Sequence, residues 1–385
     1  MAERTEENVK CVFPYRQIHF DSRGVMGPCC QYMYRQGLKN ILTLEQYLDS
    51  PQLKKIKDDL NDGLKIANCK FCWNQEDSKI LSMRQKNQDL DISKIREIFI
   101  TFGNQCNTAC RICNSSRSSL IAKYNKEHKD AVEYSPLKAL LSTEHEWDRG
   151  KTWYKDLAKD IADIVDDLEL IQISGGEPFI NVHFDNFIDT LIDTGKKLPV
   201  LRITTNGSFN KAQIEKLKKF KKVEILLSVD GMNKDFYEFL RWPLKYDDLV
   251  NRIEILKNVT YDNISVDFQL VMHNLNLTHI HDAIVCFQEN FKSNPRFSMT
   301  FTALNGATWY SLYNSPKKLR ENELEKIKSL EWDKKIKPKK EEIIQYLTND
   351  FKFNNLNMLI NHVKYTDSYR NFDTWNFLGW HPKDL

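Results

Sequence analysis

The stretch EIFITFGNQCNTACRICNSSRS, residues 97–118, opens as a β-type run and then places Cys106, Cys110 and Cys113 within eight positions, at C-x3-C-x2-C spacing. The chain has 385 residues and only nine cysteines, so this loop holds a concentration of them. Thiolates are soft ligands that suit zinc or an iron–sulfur cluster. A closed structural zinc site takes four ligands and the loop supplies three, so zinc would need a fourth from elsewhere. Three thiolates on a four-iron cube instead leave one iron open, and chemistry at a metal requires a free position.

Five further β-type runs follow: LELIQIS (168–174), VLRITTN (200–206), VEILLSVD (223–230), ISVDFQLV (264–271) and FSMTFTAL (297–304). Their Ile, Val, Leu and Phe content is that of strands buried on both faces. Helical spacing lies between them, in KTWYKDLAKDIADIVDDL (151–168), NKAQIEKLKKF (210–220) and YDDLVNRIEILKNV (246–259). Strands alternating with helices predict parallel βαβ units. Periodicity alone leaves an open sheet and a partial barrel equally available.

Small and polar residues collect where these strands end. The second ends in SGGEP (174–178), the third in TTNGS (204–208) and the fourth in SVDG (228–231). His273 and Asn274 follow the fifth, and Asn305 the sixth. In parallel α/β folds ligands bind at the C-terminal strand edge. A glycine pair directly after a strand lets backbone approach a ligand closely, and Glu177 adds a carboxylate able to take an ammonium.

Apolar residues make up 41% and charged residues 28%, with net charge +3, the balance of an ordinary globular chain. So small a charge argues against nucleic acid or an anionic membrane as partner. The first residues, MAERTEENVK, hold no apolar signal core, and no run approaches a membrane span. The expectation is a cytoplasmic protein without disulfides, whose clustered cysteines are metal ligands or catalytic thiols.

CNTACRIC together with SGGEP resembles the radical S-adenosylmethionine (SAM) superfamily, over about residues 97–305. The resemblance implies a partial (β/α)6 TIM-like barrel, matching the six strands. It implies a [4Fe–4S] cluster on Cys106, Cys110 and Cys113, with SAM chelating the fourth iron through its amino and carboxylate groups. Reductive cleavage then yields a 5′-deoxyadenosyl radical that abstracts hydrogen from a substrate C–H bond. It also implies an electron donor such as a flavodoxin or ferredoxin. By the same resemblance Gly175, Gly176, Glu177 and Pro178 form the rim for the SAM amino group, and Ile112 offers backbone to adenine. Asn206, Ser228 and Asp230 stand at ribose and methionine positions, Arg241 meets the SAM carboxylate, and Leu270 or Val271 flanks adenine.

Residues 1–88 hold five more cysteines. Alternation in YRQIHFDSRGVM predicts a hairpin turning at Ser22-Arg23-Gly24. Cys11 and Cys29 flank it, and Cys69 with Cys72 forms a C-x2-C pair. Four thiolates close a site, and zinc and [4Fe–4S] both fit that count. The run Cys11-Val-Phe-Pro14-Tyr15, the run Gly27-Pro28-Cys29-Cys30, and Cys69-Lys-Phe-Cys72 with Glu76 resemble the twitch version of the SPASM auxiliary-cluster module. Here the module precedes the barrel instead of following it, as in a subgroup that ILSMRQKNQ (80–88) also resembles. The doubled Cys29–Cys30 leaves the fourth ligand open, with Cys29 preferred. A cluster with four protein ligands has no open iron and suits electron relay, hence net oxidation of substrate.

The organisation expected is a cysteine-rich auxiliary [4Fe–4S] module over 1–88, the partial barrel over 89–315, and a mostly helical extension over 316–385, lysine- and glutamate-rich with an aromatic end. The leading function is an oxidoreductase-type radical SAM enzyme acting on a sugar, nucleotide or other small molecule. Two rivals stand beside it: a radical SAM maturase acting on a ribosomal peptide, and a zinc-stabilised binding protein without catalysis. No catalytic acid, base or hydrogen-atom donor is singled out. Cys286 reads as a buried helical cysteine, His279 and His281 do not share a helical face, and His273, Tyr310 and Tyr313 read equally well as packing or as pocket residues.

Overall fold

The computed structural model describes residues 3–4, 10–21, 24–33, 43–77, 81–128, 153–304, 308–348 and 355–384. Ser22 and Arg23 of the expected turn, and Asn305, lie outside them. Ten strands are present among the described residues: β1 Glu3–Arg4, β2 Gln17–Phe20, β3 Met26–Gly27, β4 Leu64–Lys65, β5 Glu97–Thr101, β6 Leu170–Ser174, β7 Leu198–Thr205, β8 Phe220–Ser228, β9 Ile264–Met272 and β10 Phe297–Ala303. All six expected barrel strands form, within three residues of their expected ends. The class is α/β with a mostly parallel sheet.

The chain divides into two compact units. The first comprises Met1–Gly103, Glu146–Ile203 and Glu215–Val223. Its strands run in the order β3-β2-β5-β6-β7, with β2–β3 antiparallel and the remaining pairs parallel. Ile18, Ile98, Ile100, Ile171, Ile173, Leu201 and Ile203 are almost wholly buried, as strands covered on both faces require. The hairpin read from alternation is there, His19 opposite Gly27 and Phe20 opposite Met26. Sequence reading missed its other edge: β2 also pairs in parallel with β5, Ile18 beside Ile98. Arg16 explains the register physically. Its buried guanidinium bonds Glu97 at 3.1 Å and also pairs with Glu169, tying the entrances of β2, β5 and β6 together. The helix Trp153–Ile164 forms within the stretch read as helical, and Phe184–Asp193 adds one between β6 and β7.

The second unit comprises Asn104–His145, Thr204–Ile214 and Glu224–Leu385. Here β8, β9 and β10 lie side by side, β9 and β10 parallel with Phe268 beside Met299. Phe268, Phe287, Phe291 and Phe297 interlock behind them, ring centroids 4.9–6.1 Å apart. The lysine- and glutamate-rich stretch forms the helices Lys317–Ser329 and Lys340–Thr348, and the chain continues in Leu356–Arg370 and Thr374–Leu378. Their aromatic end packs on the helix Lys234–Leu240: Phe377 stands 4.6 Å from Phe239 and 5.2 Å from Phe236. Tyr310, weighed as a pocket residue, is instead buried beside Leu359 and Val363, and its hydroxyl bonds His362 Nδ1 at 2.7 Å. Cys286 is half-buried in the helix Ile280–Asn290, its thiol 3.4 Å from Met232 O. No described helix is long and apolar enough to cross a membrane.

Candidate functional site

In the second unit, residues 104–118 form a loop held mainly by its own backbone and by serines. Ser119 Oγ accepts from Cys106 N at 3.1 Å and donates to Cys106 O at 3.2 Å, while Ser118 Oγ donates to Thr108 O at 2.5 Å. Ala109 N donates to Trp242 O and Arg111 N to Leu240 O, so residues 240–242 act as a splint for the loop. Cys113 N donates to Cys110 O, which turns the last thiol back toward the other two. Thr108 Oγ1 lies 3.1 Å from Cys106 Sγ and 3.4 Å from Cys110 Sγ. Burial and the neighbouring Cys110 and Cys106 push the Cys113 thiol up to about 12. Cys106 and Cys110, near enough to raise Cys113, stand with it where one electropositive group could be shared, which would draw off protons on binding.

Beside this loop lies a feature that sequence reading only half found. Asn206 Nδ2 donates to Asn107 Oδ1 at 2.9 Å, Asn107 Nδ2 donates to Ser208 Oγ at 2.8 Å, and Ser208 Oγ donates to Asn206 Oδ1 at 2.6 Å. The three side chains close a ring in which each gives one hydrogen bond and takes one, an arrangement that polarises every member. Asn206 was expected at the site. Asn107 and Ser208 were not, although an Asn inside a cysteine motif and a Ser two residues past Asn206 were visible.

Asp230 and Arg241, expected at separate contacts, are bound to each other. Asp230 Oδ2 takes Arg241 Nη2 at 2.5 Å and its Oδ1 takes Val271 N at 3.0 Å, both side chains nearly buried. Asp230 is held at φ 50°, a left-handed backbone that costs an Asp free energy and persists only when its surroundings fix it. Asn276 supplies that fixing, donating to Asp230 O at 3.0 Å and Val271 O at 2.9 Å. Arg241 Nε is buried without a partner, and so is His273 Nε2. His273 Nδ1 accepts from Leu275 N at 3.2 Å, so its proton sits on the unpartnered Nε2. Burial holds this imidazole neutral, with its pKa down at about 4.

The remaining expected contacts are less engaged. Ile112 is half-buried against the aromatic cluster of Phe239 and Tyr310. Ser228 ends β8, and its hydroxyl makes no hydrogen bond among the described residues. Leu270 is wholly buried within β9 and Val271 half-buried. His279, declined as a ligand, is buried, stacks on Phe236 at 4.3 Å and accepts from Met232 N.

In the first unit the glycine rim is built as its residue types require. Gly175 and Gly176 have φ 87° and 44°. A Cβ on Gly175 would stand 2.4 Å from Thr101 Cγ2, so side chains are excluded by space as well as by backbone. Glu177 is completely buried, one oxygen accepting from Phe179 N at 3.2 Å, and Pro178 is buried beside it.

The same unit gathers the other thiols. Cys11, Cys29, Cys69 and Cys72 line one pocket, walled by Phe13, Tyr32, Leu60, Trp73, Met83 and Arg84. Burial, then the neighbouring thiols, raise their pKa values: Cys69 to about 12 beside Cys11 and Cys72, Cys11 to about 11 beside Cys72, and Cys29 well above its usual value beside Cys30, Cys11 and Cys69. Cys30 does not line the pocket, and its backbone N–H is spent on Gln17 Oε1. Behind the thiols, Glu76 and Arg84 form a buried pair at 2.7 Å, Ser82 Oγ donates to Glu76 at 2.5 Å, and Arg84 lies 4.9 Å over Trp73. All nine cysteines are free thiols. Among the described residues no group of three or more His, Cys, Asp or Glu is set as for a single metal ion. A cubane cluster spreads its ligands over separate irons, so the tests of fit here are ligand count, thiol coupling and burial. The four-thiol set meets them, and the three-thiol set meets the count with Cys113 raised by its two neighbours.

Three clustered cysteines after one strand suit a cluster, and a glycine pair after the next strand suits the close approach of a small cofactor. Residues 100–285 match the Radical SAM superfamily, so this stretch of the chain is a radical SAM domain. That superfamily holds a [4Fe–4S] cluster and SAM. No curated protein matches the sequence. Among solved structures the chain is similar to Streptococcus suis SuiB bound to precursor peptide SuiA, at 16% identity and TM-score 0.38, over 83% of this chain and 53% of that one. It is similar also to anSMEcpe with bound AdoMet, at 17% identity and TM-score 0.41, over 59% and 58%. The chain thus spans little more than half the length of these proteins.

Proposed function

We propose that the chain is a radical SAM enzyme of oxidoreductase type, carrying a SAM-binding [4Fe–4S] cluster on Cys106, Cys110 and Cys113 and an auxiliary [4Fe–4S] cluster on Cys11, Cys29, Cys69 and Cys72 in a twitch-like segment over residues 1–88. The observation that carries the reading is the contrast in ligand number: three clustered thiols in one group, four in the other. Bound to the three-thiolate cluster, SAM supplies a 5′-deoxyadenosyl radical able to take hydrogen from a substrate C–H bond.

The chain's own residues hold and orient. The Asn107–Asn206–Ser208 ring offers polar edges beside the cysteine loop for ribose hydroxyls. Arg241, half satisfied by Asp230, keeps Nε for a carboxylate. Gly175 and Gly176 offer backbone, and buried Glu177 a carboxylate, to an ammonium. The closed auxiliary set suits one-electron relay, so the substrate leaves oxidised. That Cys29 lines the thiol pocket and Cys30 does not supports Cys29 as the fourth ligand. Nine free thiols support a reducing, cytoplasmic setting and a soluble electron donor such as flavodoxin or ferredoxin. The substrate class is a small molecule, sugar or nucleotide.

Iron, sulfide and zinc analysis after anaerobic reconstitution, with electron paramagnetic resonance, tests the reading. About eight irons per chain and a SAM-sensitive signal are expected. Zinc in place of iron would sink it in favour of a zinc-stabilised binding protein. Modification of a co-purifying peptide would replace the small-molecule substrate with a peptide one.

A further inference from the structure

Within the second unit, a cleft of about 500 Å³ opens beside the splint that holds the cysteine loop, between the helix Lys234–Leu240 and the turn after Arg370. That is a size suited to a small ligand. It belongs neither to the cysteine set nor to the Asp230–Arg241 pair, neither of which lines it.

Two guanidinium groups line it, and they differ. Arg111 is fully buried and paired with a carboxylate: Nη1 bonds Asp367 at 2.7 Å and Thr366 at 3.1 Å, Nε donates to Phe239 O, and the group lies 4.3 Å over the Phe239 ring. Arg370 lies 5.5 Å over the Tyr369 ring but has no carboxylate partner. Nη2 donates to Ala109 O, while Nε and Nη1 are buried without any hydrogen-bond partner. The nearby carboxylates are committed elsewhere. Asp367 takes Arg111, Thr374 N and Thr374 Oγ1. Glu238 takes Lys245 at 2.9 Å and Tyr246 N. Asp235 is exposed at the cleft's edge together with Lys234. Arg370 forms no ion pair among the described residues, and its charge adds to burial in lowering Arg111 to about 10. Arg370 as a whole is half-buried, but guanidinium nitrogens held out of water without a counter-charge are uncommon and costly, and an anion is the partner that relieves them.

The rest of the lining says what else the ligand carries. Trp242 lies 5.6 Å from the Arg370 guanidinium, and Phe372 and Phe377 complete an aromatic wall. We propose that this cleft is a second ligand site, taking a small aromatic anion whose carboxylate or phosphate pairs with Arg370 and whose ring lies on Trp242, Phe372 and Phe377. Its occupant would sit against the backbone bonds that hold Ala109, next to Cys110.

The test is isothermal titration calorimetry on the full 385-residue chain with four probes: phenyl phosphate, benzoate, benzyl alcohol and inorganic phosphate. A ring-bearing anion is expected to bind about tenfold or more tightly than benzyl alcohol and than inorganic phosphate. The better of phenyl phosphate and benzoate names the head group. Arg370→Gln should lose that advantage, Arg370→Lys should keep part of it, and saturating SAM should not displace the probe. Equal binding of benzyl alcohol, unchanged binding in a folded Arg370→Gln chain, or displacement by SAM would overturn the proposal. The comparison of anion with alcohol needs no variant, so a misfolded Arg370→Gln leaves the test standing. Because the readout is binding without turnover, its failure would leave the radical SAM reading intact, and failure of that reading would leave this one intact.

Discussion

The two cysteine groups differ in what surrounds them more than in what they are. Cys11, Cys29, Cys69 and Cys72 stand among Phe13, Leu60, Trp73 and Met83, and the charge nearest them, Arg84, is matched by Glu76. Cys106, Cys110 and Cys113 are half-exposed, and the side chains next to their loop are amides, hydroxyls and the Asp230–Arg241 pair. An apolar, charge-balanced shell excludes water and sets a potential; a polar one with unpartnered atoms accepts a ligand. Under the function proposed above, the same soft donor would serve storage of an electron in one place and chemistry in the other, and the difference would lie in the neighbours.

The comparison breaks most decisively at the ligands. Replacing Cys106, Cys110 and Cys113 together by Ala should abolish SAM cleavage and lower iron from about eight to about four per chain. Cys69→Ala/Cys72→Ala should lower iron equally yet leave the SAM-perturbed resonance in place. Iron analysis with paramagnetic resonance reads both, and a SAM effect that survives the triple replacement would reverse the assignment.

Next in size is the charge balance of the closed pocket. Arg84→Met strands Glu76, whose side chain is 10% exposed. Urea unfolding should show a loss of about 3–5 kcal/mol, with a smaller loss in Glu76→Gln/Arg84→Met. Equal losses in the two would mean that Arg84 acts through packing on Trp73.

A third contrast concerns acid. The cysteine-loop unit buries His273, His279 and His362, with pKa values lowered by burial to about 4, 4 and 3. An unfolded histidine titrates near 6.5, so protonation favours the unfolded chain as pH falls. Their contribution is fully present above about pH 6.5 and lost progressively toward pH 4, about 2 kcal/mol for each by pH 5. Hydrogen exchange compared at pH 7.5 and 5 should show amides near these histidines losing protection, and His362→Gln should flatten the dependence. The smallest effect belongs to the glycine rim. Gly175→Ala should cost about 1–3 kcal/mol in thermal or urea unfolding, from its positive φ and the Thr101 methyl; no change would show that the rim can shift.

Much of this was legible in the sequence, for physical reasons that differ by region. The six strands announced themselves because strands buried on both faces must be apolar throughout, and each of β5 to β10 formed where such a run stood. The cysteine spacing and the glycine pair were legible because few residue types can do their work. The parallel pairing of β2 with β5 was not, since it rests on Arg16 reaching Glu97 and Glu169, residues far apart in the chain. Nor was the unpartnered state of Arg370, which depends on Asp367 being taken by Arg111 and Thr374. Tyr310 was ambiguous for a similar reason: only the position of His362 decides that it packs inside.

One consequence of the side-chain ring at Asn206 concerns the ageing of the chain. Asn206 precedes Gly207, the pairing in which a backbone nitrogen most readily attacks the side-chain amide carbon, closing a succinimide and expelling ammonia. Here Gly207 N is engaged, donating to Thr205 Oγ1 at 2.9 Å, and the Asn206 amide is fixed through both its atoms by Asn107 and Ser208. The attack would have to break those bonds first, so the residues that dress the cysteine loop also protect a chemically fragile dipeptide for as long as the protein stays folded.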